Sequence, residues 1–221
     1  PMGPTNNNDK PVVTGMLVAN GLGFLAYMLL GPAVIIQFGL WPLGTEGLSR
    51  GFSGGIPGFE IWQVLTYGFL HGGFLHLFVN MFALWMFGTA LESFWGSRPF
   101  LIFYLVCLVG AGLIQLVVAT MAVDSGSIYP TVGASGAVFG ILLGFAMMFP
   151  EQRLMLIFPP IPIKAKYFVI LYGAFELYAG VTGSMSGVAH FAHLGGMAFG
   201  WLMIMYWRGN LPIKPERRLM R

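Results

Sequence analysis

Ser135 lies in Gly133-Ala134-Ser135-Gly136, at the mouth of an apolar segment, and His193 lies in a second apolar segment near the C-terminus. A hydroxyl and an imidazole are a nucleophile and a general base when one can take the other's proton. Placed in apolar segments, they are also costly. Polar and ionisable groups at membrane depth face a bundle interior or a wet cavity, and they mark function. The chemistry these two residues suggest is serine hydrolysis below a membrane surface.

The composition requires the membrane. Of 221 residues, 57% are hydrophobic and 9% charged, with mean hydropathy +0.77. Soluble domains carry about 25% charged residues. A span needs roughly 20 mainly apolar residues to cross about 30 Å of hydrocarbon. Six stretches qualify: about 12–38 (interrupted by Gly31-Pro32), 72–93, 99–121, 133–150, 164–183 and 188–207. The expected fold is an all-α, six-span bundle over residues 12–207. A tail of 1–11 precedes it and a basic tail of 208–221 follows. The long segment 39–71, with Trp41, Phe52, Phe59 and Trp62, is expected to lie in the interface, where amphipathic rings are favoured.

Six spans place both termini on one side with Lys10, Arg98, Arg153, Lys164, Lys166, Arg208, Lys214, Arg217, Arg218 and Arg221; only Arg50 falls opposite. The positive-inside rule makes that side cytoplasmic. The pI near 9.2 is then a matter of topology and anionic lipid, and nucleic acid is not an expected partner. The polar first dozen residues suggest no cleavable leader. Cys107 is the single cysteine, so no internal disulfide or cysteine metal cluster can form.

In this topology spans two, four and six start from one side. They carry His71, His76 and Asn80, then Ser135, then His190 and His193, all within about 8–16 Å of the same surface. Gly136, Gly140 and Gly144 recur every four residues on span four, and Gly196 and Gly200 do so on span six. Small residues at that spacing let membrane helices come close. If those faces meet, Ser135 and His193 come within hydrogen-bond reach.

Elimination narrows the chemistry. The aspartates are Asp9 and Asp124, both outside the spans, and H-E-x-x-H is absent. A triad lacks a well-placed third member, which leaves a Ser135–His193 dyad. His76 and Asn80, one helical turn apart, join the Ser135 backbone N–H as candidate oxyanion donors. His190 is the neighbour of the base; Glu176 in span five is read as a structural group facing a wet cavity, with tuning of substrate entry as the alternative. The Met and Phe residues imply no cofactor, and no metal is expected.

Three motifs occur in order. They are Gly133-Ala134-Ser135-Gly136, the H-x4-H-x3-N of His71, His76 and Asn80, and the A-H-x-x-G-x-x-x-G of Ala192, His193, Gly196 and Gly200. Together, over about residues 59–207, they resemble the rhomboid intramembrane serine proteases. The resemblance implies a dyad of Ser135 and His193, with His76 and Asn80 on the oxyanion and His71 organising the outer loop. Gly133, Gly136, Gly196 and Gly200 support it. It further implies cleavage of single-span membrane proteins near small, helix-destabilising residues, with lateral access beside span five. Many members have Trp-Arg in the first loop, where this chain has Trp62-Gln63.

The expected setting is a prokaryotic cytoplasmic membrane. Two other classes compete: an inactive relative that binds membrane clients, and a metal or haem protein using His71, His76, His190 and His193. The presence of both Ser135 and His193 weighs against the first. The shortage of ligands deeper in the spans weighs against the second.

Overall fold

The computed structural model describes residues 10–46, 57–155, 160–183, 188–213 and 215. Arg50, Phe52, Lys214, Arg217, Arg218, Arg221 and nearly all of the 1–11 tail lie outside these residues. So the expected orientation by charge rests on sequence alone.

Six long helices carry the described fold: α1 (Pro11–Leu30), α2 (Phe74–Trp95), α3 (Ser97–Val123), α4 (Ser135–Met148), α5 (Ala165–Thr182) and α6 (His190–Arg208). By length and composition α1, α2 and α3 suffice to cross a membrane. Helix α4 is apolar but only 14 residues long, about 21 Å at 1.5 Å per residue. Helices α5 and α6 are 18 and 19 residues long, and they hold Glu176 and two histidines. Six spans therefore remain an expectation from the sequence.

The first apolar run does break at Gly31-Pro32. Gly31 takes φ +68°, which favours glycine, and a short helix Ala33–Phe38 follows the proline. The α4–α5 connection also holds an antiparallel pair, β1 (Arg153–Met155) and β2 (Pro162–Lys164), with no strand pattern in the sequence. Beside it Glu151 pairs with Lys164 at 2.6 Å and with Lys166. Hydrogen bonds from these two ammonium groups hold its carboxyl down at about 2.

Polarity is inverted relative to a soluble bundle. Leu29, Phe74, Leu75, Leu171, Tyr178 and Val181 are exposed, whereas Asn20, Gln115, Glu92 and Glu176 are buried. In water such apolar faces would drive association; in lipid they are the solvent-facing surface. The centre is α3, α4 and α6, packed around Phe100, Phe103, Tyr104, Cys107 and Leu108.

The opposite end from Ser135 is fastened by a carboxyl group. Glu92 accepts the N–H groups of Val12 (3.1 Å) and Val13 (2.9 Å) and the hydroxyl of Ser97 (2.7 Å). The first N–H groups of a helix have no partner within it, so this acid caps α1 from the end of α2.

The segment before α4 is clamped by the outer loop. Leu40 and Thr131 exchange two backbone bonds of 2.9 Å, and Gly133 N–H donates to Tyr67 O (2.9 Å). Tyr67 in turn donates its hydroxyl to Leu108 O (2.7 Å). Gln63 is buried, with Oε1 accepting Trp41 N–H at 3.2 Å. An uncharged amide thus serves the loop at this position.

Candidate active site

Glycine determines how closely α4 and α6 approach. A Cβ on Gly196 would sit 1.8 Å from Gly136 O, and one on Gly140 would sit 2.9 Å from Gly196 O and 2.4 Å from Cys107 Sγ. A Cβ on Gly136 would meet Ala111 Cβ at 2.3 Å; on Gly200 it would meet Cys107 Sγ and Phe103 at 3.2 Å. At Gly196 and Gly140 a side chain would meet the backbone of the facing helix, whereas at Gly136 and Gly200 it would first meet side chains of α3. The spacing noticed in the sequence is a backbone contact at Gly136, Gly140 and Gly196, while Gly144 packs on Phe103, Leu91 and Trp95.

That contact carries Ser135, the first residue of α4, to His193, in the first turn of α6. His193 Nε2 lies 2.8 Å from Ser135 Oγ. The imidazole is stacked on Phe139, one turn below the serine, with ring centroids 4.2 Å apart and planes 6° from parallel. The ring plane is fixed by packing and its edge points at the hydroxyl.

Gly133 serves the same corner. Its φ is +129°, and a Cβ there would lie 2.8 Å from His76 Cε1 and 3.7 Å from Ser135 Oγ. His76 is thereby brought beside the serine. Asn80, buried one turn further along α2, donates one amide hydrogen to His76 O (2.8 Å) and keeps a second. A π-helical turn, Leu84–Gly88, follows it in α2; such turns occur often at functional sites. His71 is fully buried, with its ring edge-on to His76 at 4.9 Å. Burial pushes its imidazole down to about 3, so it is neutral and packs the loop.

Glu176, expected as a structural group in span five, meets both histidines of α6. It is 2% exposed, and its Oε2 lies 2.6 Å from His190 Nδ1 and 2.9 Å from His193 Nδ1. The sequence offered no aspartate near Ser135 and His193, and Glu176 stood apart from them as a structural group of span five. Depth was the available signal. Glu176 stands six residues before the end of α5, about 9 Å, and α5 ends where α6 begins.

The three ligand atoms of Glu176, His190 and His193 lie within 4.8 Å of one another. Tetrahedral ligands about 2.0 Å from zinc stand roughly 3.3 Å apart, wider than either separation here. Hydrogen bonds fit these distances better. His71 and His76 do not join that cluster, so the four histidines are not gathered for a single metal or haem.

Ser135, His76, Asn80, Phe139, Tyr172 and His193 line one cavity of about 1510 Å³. It lies between α2 and α5, two helices without extensive mutual packing among the described residues.

This is a helical membrane bundle with a hydroxyl–imidazole pair at the wall of an apolar cavity. A profile of the Rhomboid domain matches residues 58–210, and the chain belongs to the rhomboid family. It is 32% identical over 157 residues to Rhomboid protein 1, mitochondrial, of Saccharomyces cerevisiae, covering 71% of this chain and 45% of that protein. It is 32% identical over 216 residues to the Presenilin-associated rhomboid-like protein, mitochondrial, of Rattus norvegicus, covering 94% and 52%. It is 32% identical over 142 residues to Rhomboid protease GluP of Bacillus subtilis, covering 64% and 25%. The chain spans about half the length of the first two. The assignment to a prokaryotic cytoplasmic membrane is corrected by these relatives: mitochondrial proteins match over the larger share of the chain, and what stands is a membrane protein.

Proposed function

We propose that the chain is an intramembrane serine protease that cuts peptide bonds in or near the transmembrane segments of single-span proteins. The unit is residues 12–207. The observation that carries this reading is the 2.8 Å approach of His193 Nε2 to Ser135 Oγ inside an apolar cavity.

A substrate segment reaches the cavity from the lipid between α2 and α5. Ser135 Oγ attacks the scissile carbonyl carbon while its proton passes to His193 Nε2. Charge then develops on the carbonyl oxygen. The Ser135 N–H, at the positive end of α4, together with His76 and Asn80, stabilises it. His193 returns the proton to the leaving amine, and the acyl group stays on Oγ. Water, deprotonated by the same imidazole, then releases the acid and restores the serine.

The test is cleavage of a model single-span substrate by the purified protein, and labelling by a fluorophosphonate, which loses fluoride as it bonds to an active serine. Ser135→Ala and His193→Ala each abolish cleavage and labelling while the fold persists by circular dichroism. Near-wild-type cleavage by either variant refutes the reading. A wild-type protein that neither cleaves nor labels is a client-binding relative.

A further inference from the structure

We propose that Glu176 is a positioning residue for the Ser135–His193 pair, holding a proton on Nδ1 of both His193 and His190 through the single oxygen Oε2. The inference rests on the protease reading above and adds a third member to a site that otherwise has two.

A carboxylate oxygen can only accept, so each Nδ1 that it holds at 2.6 or 2.9 Å must be a donor. A neutral imidazole with its proton on Nδ1 has a bare Nε2. On His193 that bare nitrogen faces Ser135 Oγ at 2.8 Å, and it accepts the hydroxyl proton. The other tautomer would present an N–H to the serine and could not act as its base. Glu176 therefore supplies what packing alone cannot. Stacking on Phe139 fixes the plane of the ring but not which nitrogen carries the proton.

His190 has the complementary part. A buried carboxylate is tolerated only when its acceptor sites are filled. The His190 ring fills one and leaves its own Nε2 buried with no partner among the described residues. Small residues make this approach possible. Gly173, Glu176 and Gly180 share one face of α5 at spacings of three and four. A Cβ on Gly180 would meet His190 Cβ at 3.2 Å; on Gly173 it would meet Met197 Cε at 3.1 Å. Helix α6 is thus seated along the face of α5 that bears the acid. When His193 takes the serine proton, the carboxylate faces the new imidazolium and keeps its orientation. No proton needs to reach Glu176.

The experiment is nitrogen NMR on the full chain, labelled with ¹⁵N-histidine in detergent micelles, where only four histidines contribute. In spectra of wild type and Ser135→Ala, the neutral forms of His190 and His193 should carry their proton on Nδ1. His193 protonated on Nε2 in the neutral form overturns the inference, as does a stoichiometric metal bound by these side chains. In parallel, Glu176→Gln should lower kcat by about 10²–10⁴-fold, the scale of an essential acid–base partner or its tautomer, with KM little changed. Glu176→Asp should recover part of that loss. Wild-type kcat in Glu176→Gln overturns the inference and leaves the dyad standing. Full cleavage by Ser135→Ala removes the protease reading, and the role of Glu176 in it, whatever the spectra show.

Discussion

Two glutamates are buried at opposite ends of this bundle, Glu92 at 3% exposure and Glu176 at 2%, and their partners divide them. Glu92 accepts two backbone N–H groups and one hydroxyl. Those amide donors cannot give up a proton at any ordinary pH, so the group can only fasten α1 to the α2–α3 turn. Glu176 accepts two imidazole N–H groups, one of them on the ring that meets Ser135. An imidazole can gain or lose a proton, so the same residue type, equally buried, faces a ring whose charge can change. Burial alone does not mark an acid as functional. What it touches does.

Four substitutions break or sharpen that contrast. The largest effect on turnover among these four belongs to the Ser135 end. His76→Ala and Asn80→Ala should each lower kcat by about 10–10³-fold if they stabilise the oxyanion, with thermal stability close to wild type. A change confined to KM would remove them from that role.

Between the two ends lies the glycine contact. Gly196→Ala puts a methyl 1.8 Å from Gly136 O, so α4 and α6 must separate. Thermal unfolding should show a loss of about 1–3 kcal/mol, the usual scale of overpacking, and fluorophosphonate labelling of Ser135 should slow with it. Unchanged stability would mean that the two helices are not held in this contact.

The smallest effect on chemistry belongs to Glu92. Glu92→Gln keeps the shape but weakens the capping bonds, at a cost of about 1–3 kcal/mol. Measured well below the unfolding transition, kcat should stay at the wild-type value. A drop in kcat at unchanged stability would erase the distinction between the two glutamates.

Much of this could be read from local pattern. The break at Gly31-Pro32 follows from one residue's dihedral freedom and the next one's missing N–H. The Gly136/Gly140/Gly144 and Gly196/Gly200 series needs only the period of a helix to be seen as a face. The common depth of His76, Asn80, Ser135 and His193 followed from counting turns from one surface. Other features were out of reach. The β1–β2 pair lies between prolines and charges without a strand pattern, and the π-helical turn after Asn80 leaves no periodic trace. The two backbone partners of Glu92 are 80 and 79 residues away in the chain.

Composition and spacing determined that the chain is a membrane helical bundle, that two glycine faces can meet, and which hydroxyl and imidazole stand at one level. These properties repeat with the helix period or sum over the chain, so they survive without coordinates. Only the tertiary structure decided that α5 turns Glu176 toward α6. It also decided that one carboxylate oxygen holds two histidines, and that a cavity opens between α2 and α5. Those depend on the rotation of one helix against another, a quantity set by packing across the bundle and absent from any single segment.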